Sequence, residues 1–203
     1  MSFKLYGCER AIAGFPYDKA QTNKYYAERN TDIATLTETK EKKGKGKEDL
    51  ANYVQFWTSV DKSCRVTAGV SDLVNKKYIT NYEFKSKRIM TSTLSIYGHI
   101  TTVIATYAPT DDCTQETKTN YYESLAEVVR NIPQHQELII AGDLNARVGL
   151  KKDSETVEQF GEEVVNSSGK KLMEHCNQFV MKIINGFFKH KMIHRVTWER
   201  PSL

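Results

Sequence analysis

The segment Leu138-Ile139-Ile140-Ala141-Gly142-Asp143-Leu144-Asn145-Ala146-Arg147 constrains this chain more than any other. An apolar, β-branched run stopped by Gly-Asp-x-Asn reads as a buried strand over 138 to 142 that delivers polar side chains to the rim of a sheet. Residues two apart along a strand share a face, so Asp143 and Asn145 are expected on one side of the chain. A carboxylate can orient or deprotonate a water, or ligate a hard cation, while an amide beside it donates to a charged oxygen. The same segment also fits a strand running into a plain Asp/Asn turn, and taken alone the turn is the favoured reading.

With 203 residues and 39% apolar content, the chain is long enough for one domain with a sizeable core, and a single domain over residues 1-203 is the expectation. No apolar run approaches membrane-spanning length, and Met1 to Gly14 lacks a basic segment followed by an apolar stretch. The chain therefore reads as soluble and intracellular, nuclear or cytoplasmic, with no membrane partner. Cys8, Cys64, Cys113 and Cys176 are far apart and form no CxxC pair, which points to reduced, mostly buried thiols and away from a zinc site. A net charge of +4 and a pI near 8.7 are compatible with a polyanionic partner. The run from Lys40 to Lys47 reads as a solvated flexible loop and a weak nuclear-import signal; it lacks the spacing of a Walker A loop.

Along the chain, Ala20 to Asn30 reads as a short helix leading into a strand at Asp32 to Thr37, with Glu38 at the strand's carboxyl end. Tyr53 to Val60 and Arg65 to Asn75 look like successive antiparallel strands, and Lys87 to Ile96 and Ile100 to Tyr107 flank Tyr97-Gly98-His99 as a hairpin. Tyr121, Leu125, Val128 and Ile132 recur on one helical face between Thr114 and Ile132. A second helix carrying Leu172, Cys176 and Phe179, and a strand near Val180 to Asn185, complete the pass. Strand-rich pairs alternating with helices predict a layered α/β sandwich.

Three strand ends now carry polar groups: Leu36-Thr37-Glu38-Thr39, Thr106-Tyr107-Ala108-Pro109-Thr110 and Gly142-Asp143-Leu144-Asn145-Ala146. With Val196-Thr197-Trp198 they follow an order that resembles the endonuclease/exonuclease/phosphatase superfamily, in particular the endonuclease domain of RTE-type non-LTR retrotransposons and the similar host proteins of the craniofacial development protein 2-like group. The resemblance covers most of residues 31 to 201. It implies a four-layer α/β sandwich with two mixed sheets, and a Mg²⁺-dependent endonuclease, with Mn²⁺ as the alternative metal, acting on nucleic acid, DNA first. By resemblance Glu38 would bind the metal, Asp143 would activate the attacking water and Asn145 would hydrogen-bond the phosphoryl oxygens. Tyr107 would sit against the scissile phosphate and Thr197 at the substrate rim.

Each residue has a plainer reading. Glu38 fits a solvated strand end, Tyr107 fits packing and Thr197 with Trp198 fits strand filling. His190 and His194 read as surface or substrate-facing groups rather than a zinc pair, and Arg88 reads as a solvated strand end within reach of a phosphate. The chain also departs from the family pattern at both ends. The Asn that closes the family's first strand has no counterpart around Arg10, and the closing Ser-Asp-His is absent before Leu203. Groups that act as a unit lose most of the rate when one is removed. The departures predict a truncated domain, incomplete at the C-terminus, with a non-catalytic remnant binding nucleic acid or protein as the alternative. Oligomeric state is not readable from the sequence.

Overall fold

The computed structural model describes residues 5–10, 19–37, 44–59, 69–151 and 154–189, with side chains from residue 24 onward. The chain divides into two compact units, Met1–Ala108 with Glu127–Asp143, and Pro109–Ala126 with Leu144–Leu203.

The first unit holds two mixed sheets. Strands β1 (Leu5–Arg10), β2 (Ile33–Thr37), β3 (Lys45–Asp49), β4 (Tyr53–Ser59) and β5 (Gly69–Asn75) form one, in the order β1-β2-β5-β4-β3. Strands β6 (Ile79–Phe84), β7 (Ile89–Ile96), β8 (His99–Tyr107) and β9 (Glu137–Asp143) form the other, in the order β6-β7-β8-β9. β1 runs parallel to β2, and β8 parallel to β9; the remaining pairs are antiparallel.

Period-two alternation explains how the sheets meet. Ile33, Val54, Phe56, Val70 and Val74 of the first sheet join Met90, Leu94, Val103, Ala105 and Ala141 of the second in one buried cluster. Each fully buried aliphatic side chain there contributes roughly 1.5–3 kcal/mol relative to exposure. The opposite face of the first sheet, through Ala34, Leu36, Tyr53 and Leu73, packs on Tyr26 of helix α1 (Lys19–Glu28). β2 is thus buried on both faces, and the Tyr53 hydroxyl anchors the chain entering it by donating to the Thr31 carbonyl at 2.8 Å.

One charged group sits inside the sandwich. Asp72 on β5 has no solvent exposure and accepts hydrogen bonds from Thr35 Oγ1 at 2.7 Å and from Ser92 Oγ, across the sheets, at 2.9 Å. Burial pushes its carboxyl up from 3.8 to about 6, against the pull of those two hydroxyls.

In the second unit, helix α2 (Gln115–Arg130) begins before the boundary and runs on into the first, and helix α3 (Ser167–Gln178) is followed by a 3-10 turn at Ile184–Gly186. Lys118 of α2 is 1% exposed because its ammonium is fully engaged: Nζ donates to the Asp111 carbonyl at 2.7 Å, to Asp111 Oδ1 at 3.0 Å and to Ser167 Oγ at 2.7 Å. Those bonds tie the segment after β8 to the first turn of α3.

Several expectations need correction. Of the Lys40 to Lys47 run expected as a flexible loop, residues 40–43 lie outside the described residues, while Lys45 to Lys47 belong to the edge strand β3: β4 supplies its ladder, and Lys47 and Lys76 pair with Asp49. β1 and β6 were not expected. The strand near Val180 to Asn185 does not form, because Val180 is 87% exposed at φ +55° and Ile184 opens the 3-10 turn. β9 is half-buried over Leu138 to Ile140, since among the described residues it is the edge of its sheet.

Candidate active site

β8 and β9 end side by side. Their parallel register sets Thr106 opposite Gly142 and Tyr107 opposite Asp143, and the Ala108 N–H extends the ladder by donating to the Asp143 carbonyl at 2.9 Å. Gly142 permits this approach: its φ is +132°, and a Cβ there would lie 1.8 Å from the Thr106 carbonyl oxygen. The glycine that looked like a turn signal therefore serves strand pairing, one residue before the acid.

Tyr107 follows Val103 and Ala105 into the inter-sheet core, where it is 6% exposed. Ile139 and Ala141 on β9 face the same core, so alternation puts Asp143 on that face too, half-buried at the strand's end. Tyr107 and Asp143 are thus brought together. Thr37, the last residue of β2, is fully buried; Glu38 follows it in sequence and lies outside the described residues, as do Thr197, Trp198, His190 and His194.

Arg88, expected at a solvated strand end, belongs to this corner. Its guanidinium donates to the carbonyls of Tyr107 at 3.1 Å and Ala108 at 3.4 Å and lies 5.4 Å from the Tyr107 ring centroid. In return the Arg88 carbonyl accepts from Tyr107 N–H and Thr106 Oγ1, both at 3.0 Å. A cation is fixed beside the Tyr107 end of β8 by bonds that only the folded sheet provides.

In the second unit, Asn145 lies one residue past Leu144, where that unit resumes. β9 ends at Asp143 and Asn145 takes a left-handed φ of +47°, so the shared strand face expected for the two side chains does not extend to it. Its carbonyl accepts from Asn166 Nδ2 at 3.2 Å. Asn166 also caps α3, its Oδ1 accepting from Gly169 N–H at 2.7 Å and from Arg147 N–H at 3.0 Å. Asn166 is not among the residues expected from the sequence; an Asn directly before a helical pattern is the cap signal that would have found it. Near the same helix start, Lys118 and then Ser167 hold the Asp111 carboxyl below its ordinary value by hydrogen bonding.

The fold is shared with known nucleases. The endonuclease domain of TRAS1, a telomere-specific non-LTR retrotransposon, superposes with a TM-score of 0.56 at 19% identity, covering 83% of this chain and 70% of that one. An AP endonuclease from Archaeoglobus fulgidus gives 0.51 at 14% identity, covering 79% and 65%. This is the endonuclease/exonuclease/phosphatase fold. Within it, the corner formed by Tyr107 and Asp143 stands at the carboxyl ends of a parallel strand pair. By sequence, the chain is similar to craniofacial development protein 2 of Bos taurus, 29% identical over 137 residues, and of Tragulus javanicus, 28% identical over 137 residues. Each match covers 66% of this chain but only 23% and 24% of those proteins, so the chain spans about a quarter of the relatives it matches. No family model matches it. Among the described residues, no helix is long and apolar enough to cross a membrane.

Proposed function

We propose that this chain is a metal-dependent phosphodiesterase domain that nicks DNA. The observation that carries the reading is the register pair Tyr107–Asp143, which sets a half-buried carboxylate opposite a tyrosine whose carbonyl holds the Arg88 guanidinium, at the end of a parallel strand pair in a fold shared with nucleases. Asp143 takes the proton of the attacking water; the water oxygen bonds to phosphorus as one phosphoester P–O bond breaks, and the leaving oxygen is protonated from solvent. Asn145, two residues along the chain, donates its amide to a phosphoryl oxygen as charge moves there. Tyr107 lies against the phosphate, Arg88 adds positive charge, and Thr197 meets the substrate at the rim.

A Mg²⁺ ion, or Mn²⁺ in its place, suits the donors present. No group of three or more His, Cys, Asp or Glu able to hold a metal occurs among the described residues, and Mg²⁺ does not need one, since it binds through one or two carboxylates, waters and phosphate oxygens. Glu38 is the carboxylate that would hold it, with Asp143 the acid nearest in role. When bound, the ion neutralises phosphate charge.

The test is nicking of supercoiled plasmid with Mg²⁺, with EDTA, and with Asp143→Ala. The expected result is cleavage that EDTA abolishes and that Asp143→Ala lowers by at least about 100-fold. Equal products in all three arms sink the proposal, and salt-sensitive binding without cleavage points instead to a nucleic-acid-binding remnant.

A further inference from the structure

We infer that Asn166 is a positioning residue that sets the backbone of Asn145, and through it the aim of the Asn145 amide. The inference rests on the phosphodiesterase reading for its catalytic consequence, though not for its geometry.

A helix cap needs only one acceptor. Ser, Thr or Asp would serve Gly169 N–H as well as Asn does. Asn166 does more. Its Oδ1 takes a second N–H, from Arg147 at 3.0 Å, its own N–H donates to the Arg147 carbonyl at 3.0 Å, and Nδ2 donates to the Asn145 carbonyl at 3.2 Å. The network fixes the orientation of the amide: two N–H groups converge on one end and a carbonyl faces the other. Of the favoured cap residues, Asn is the one that offers a two-lone-pair acceptor and an N–H donor on opposite arms of the same group.

The other contacts of this junction agree. A Cβ on Gly169 would sit 1.9 Å from the Arg147 carbonyl oxygen, so the first turn of α3 lies directly against the 145–147 backbone. Val148 and Val165 form an antiparallel bridge, and the Arg147 guanidinium binds Glu162 through both carboxylate oxygens, at 2.9 and 2.6 Å. Asn145 itself takes φ +47°, a left-handed conformation that asparagine adopts more readily than other non-glycine residues and that a contact to its carbonyl can fix. Asn166 supplies that contact from 21 residues away.

Asn166→Asp separates positioning from capping, because a carboxylate still accepts from Gly169 and Arg147 but has no donor for the Asn145 carbonyl. Asn166→Ser, a cap too short to reach Asn145, is the second variant. Both are compared with the wild-type chain by plasmid nicking and by ¹⁵N–¹H spectra of the Asn145 amides. The expectation for both is native-like spectra elsewhere, displaced or broadened Asn145 signals, and a kcat lowered by about tenfold or more with KM unchanged. Unchanged Asn145 signals in both variants overturn the positioning role whether or not the chain cuts DNA. If wild-type nicking resists EDTA and Asp143→Ala, the nuclease reading falls while the Asn145 spectra still decide this one.

Discussion

Two buried ionisable side chains are provided for differently. The Lys118 ammonium meets three oxygens, one of them on the Asp111 carboxylate. Asp72 has only two hydroxyl donors, and desolvation wins. A carboxyl whose folded pKa is raised stabilises the fold below its unfolded value and loses that contribution as pH climbs through the folded one. For Asp72 the window runs from 3.8 to about 6, and the contribution is on the order of 3 kcal/mol. Urea melts of wild type and Asp72→Asn at pH 4.5 and 7.5 should therefore differ in their pH dependence. The wild type should lose more stability between the two pH values than the variant, by about 2 kcal/mol, since part of the contribution is already gone at pH 4.5. Asp111 behaves in the other sense: its carboxyl is held low chiefly by Lys118, so Lys118→Met should let its titration, followed by carboxyl ¹³C shifts, rise toward the ordinary range. None of this was legible in the sequence, where Asp72 lies in an expected strand and Lys118 in an expected helix with nothing in their spacing to set either apart.

At the scale of elements, the β8–β9 junction is the most sensitive. Gly142→Ala drives a methyl into the Thr106 carbonyl and should cost more than about 3 kcal/mol in urea denaturation, or prevent folding. Gly98→Ala, in the two-residue turn between β7 and β8 with open space around it, should cost only about 1–2 kcal/mol. Elements with strong local signals were readable: the β7–β8 hairpin, α2 with Tyr121, Leu125 and Val128 buried, and β9. β3 and β6 were not, because Lys-Gly-Lys-Glu-Asp and Ile-Thr-Asn-Tyr-Glu-Phe become strands by borrowing a neighbour's ladder at a sheet edge. The reverse error, a strand at Val180 to Asn185, came from apolar content that the fold leaves exposed. Arg88 and Asn166 escaped for a related reason: what they do is donate to backbone carbonyls 19 to 21 residues away, which no spacing rule encodes.

For the molecule as a whole, the sheet pairings and the Tyr107–Asp143 juxtaposition agree with the fold expected from the order of its motifs. With a net charge of +4, binding to duplex DNA should weaken by about tenfold or more between roughly 50 and 200 mM salt, as read by fluorescence anisotropy. A salt-independent affinity would speak against phosphate contacts. The clasp between Asn166 and the 145–147 backbone has one more consequence. The clasp and the Val148–Val165 bridge close the chain at its neck, and beyond it Ile183 N–H donates to the Thr156 carbonyl and Phe160 N–H to the Gly186 carbonyl. Added length there is therefore not taken up by a free loop: an insertion after Phe160 would load the Ile184–Gly186 turn as well as the neck.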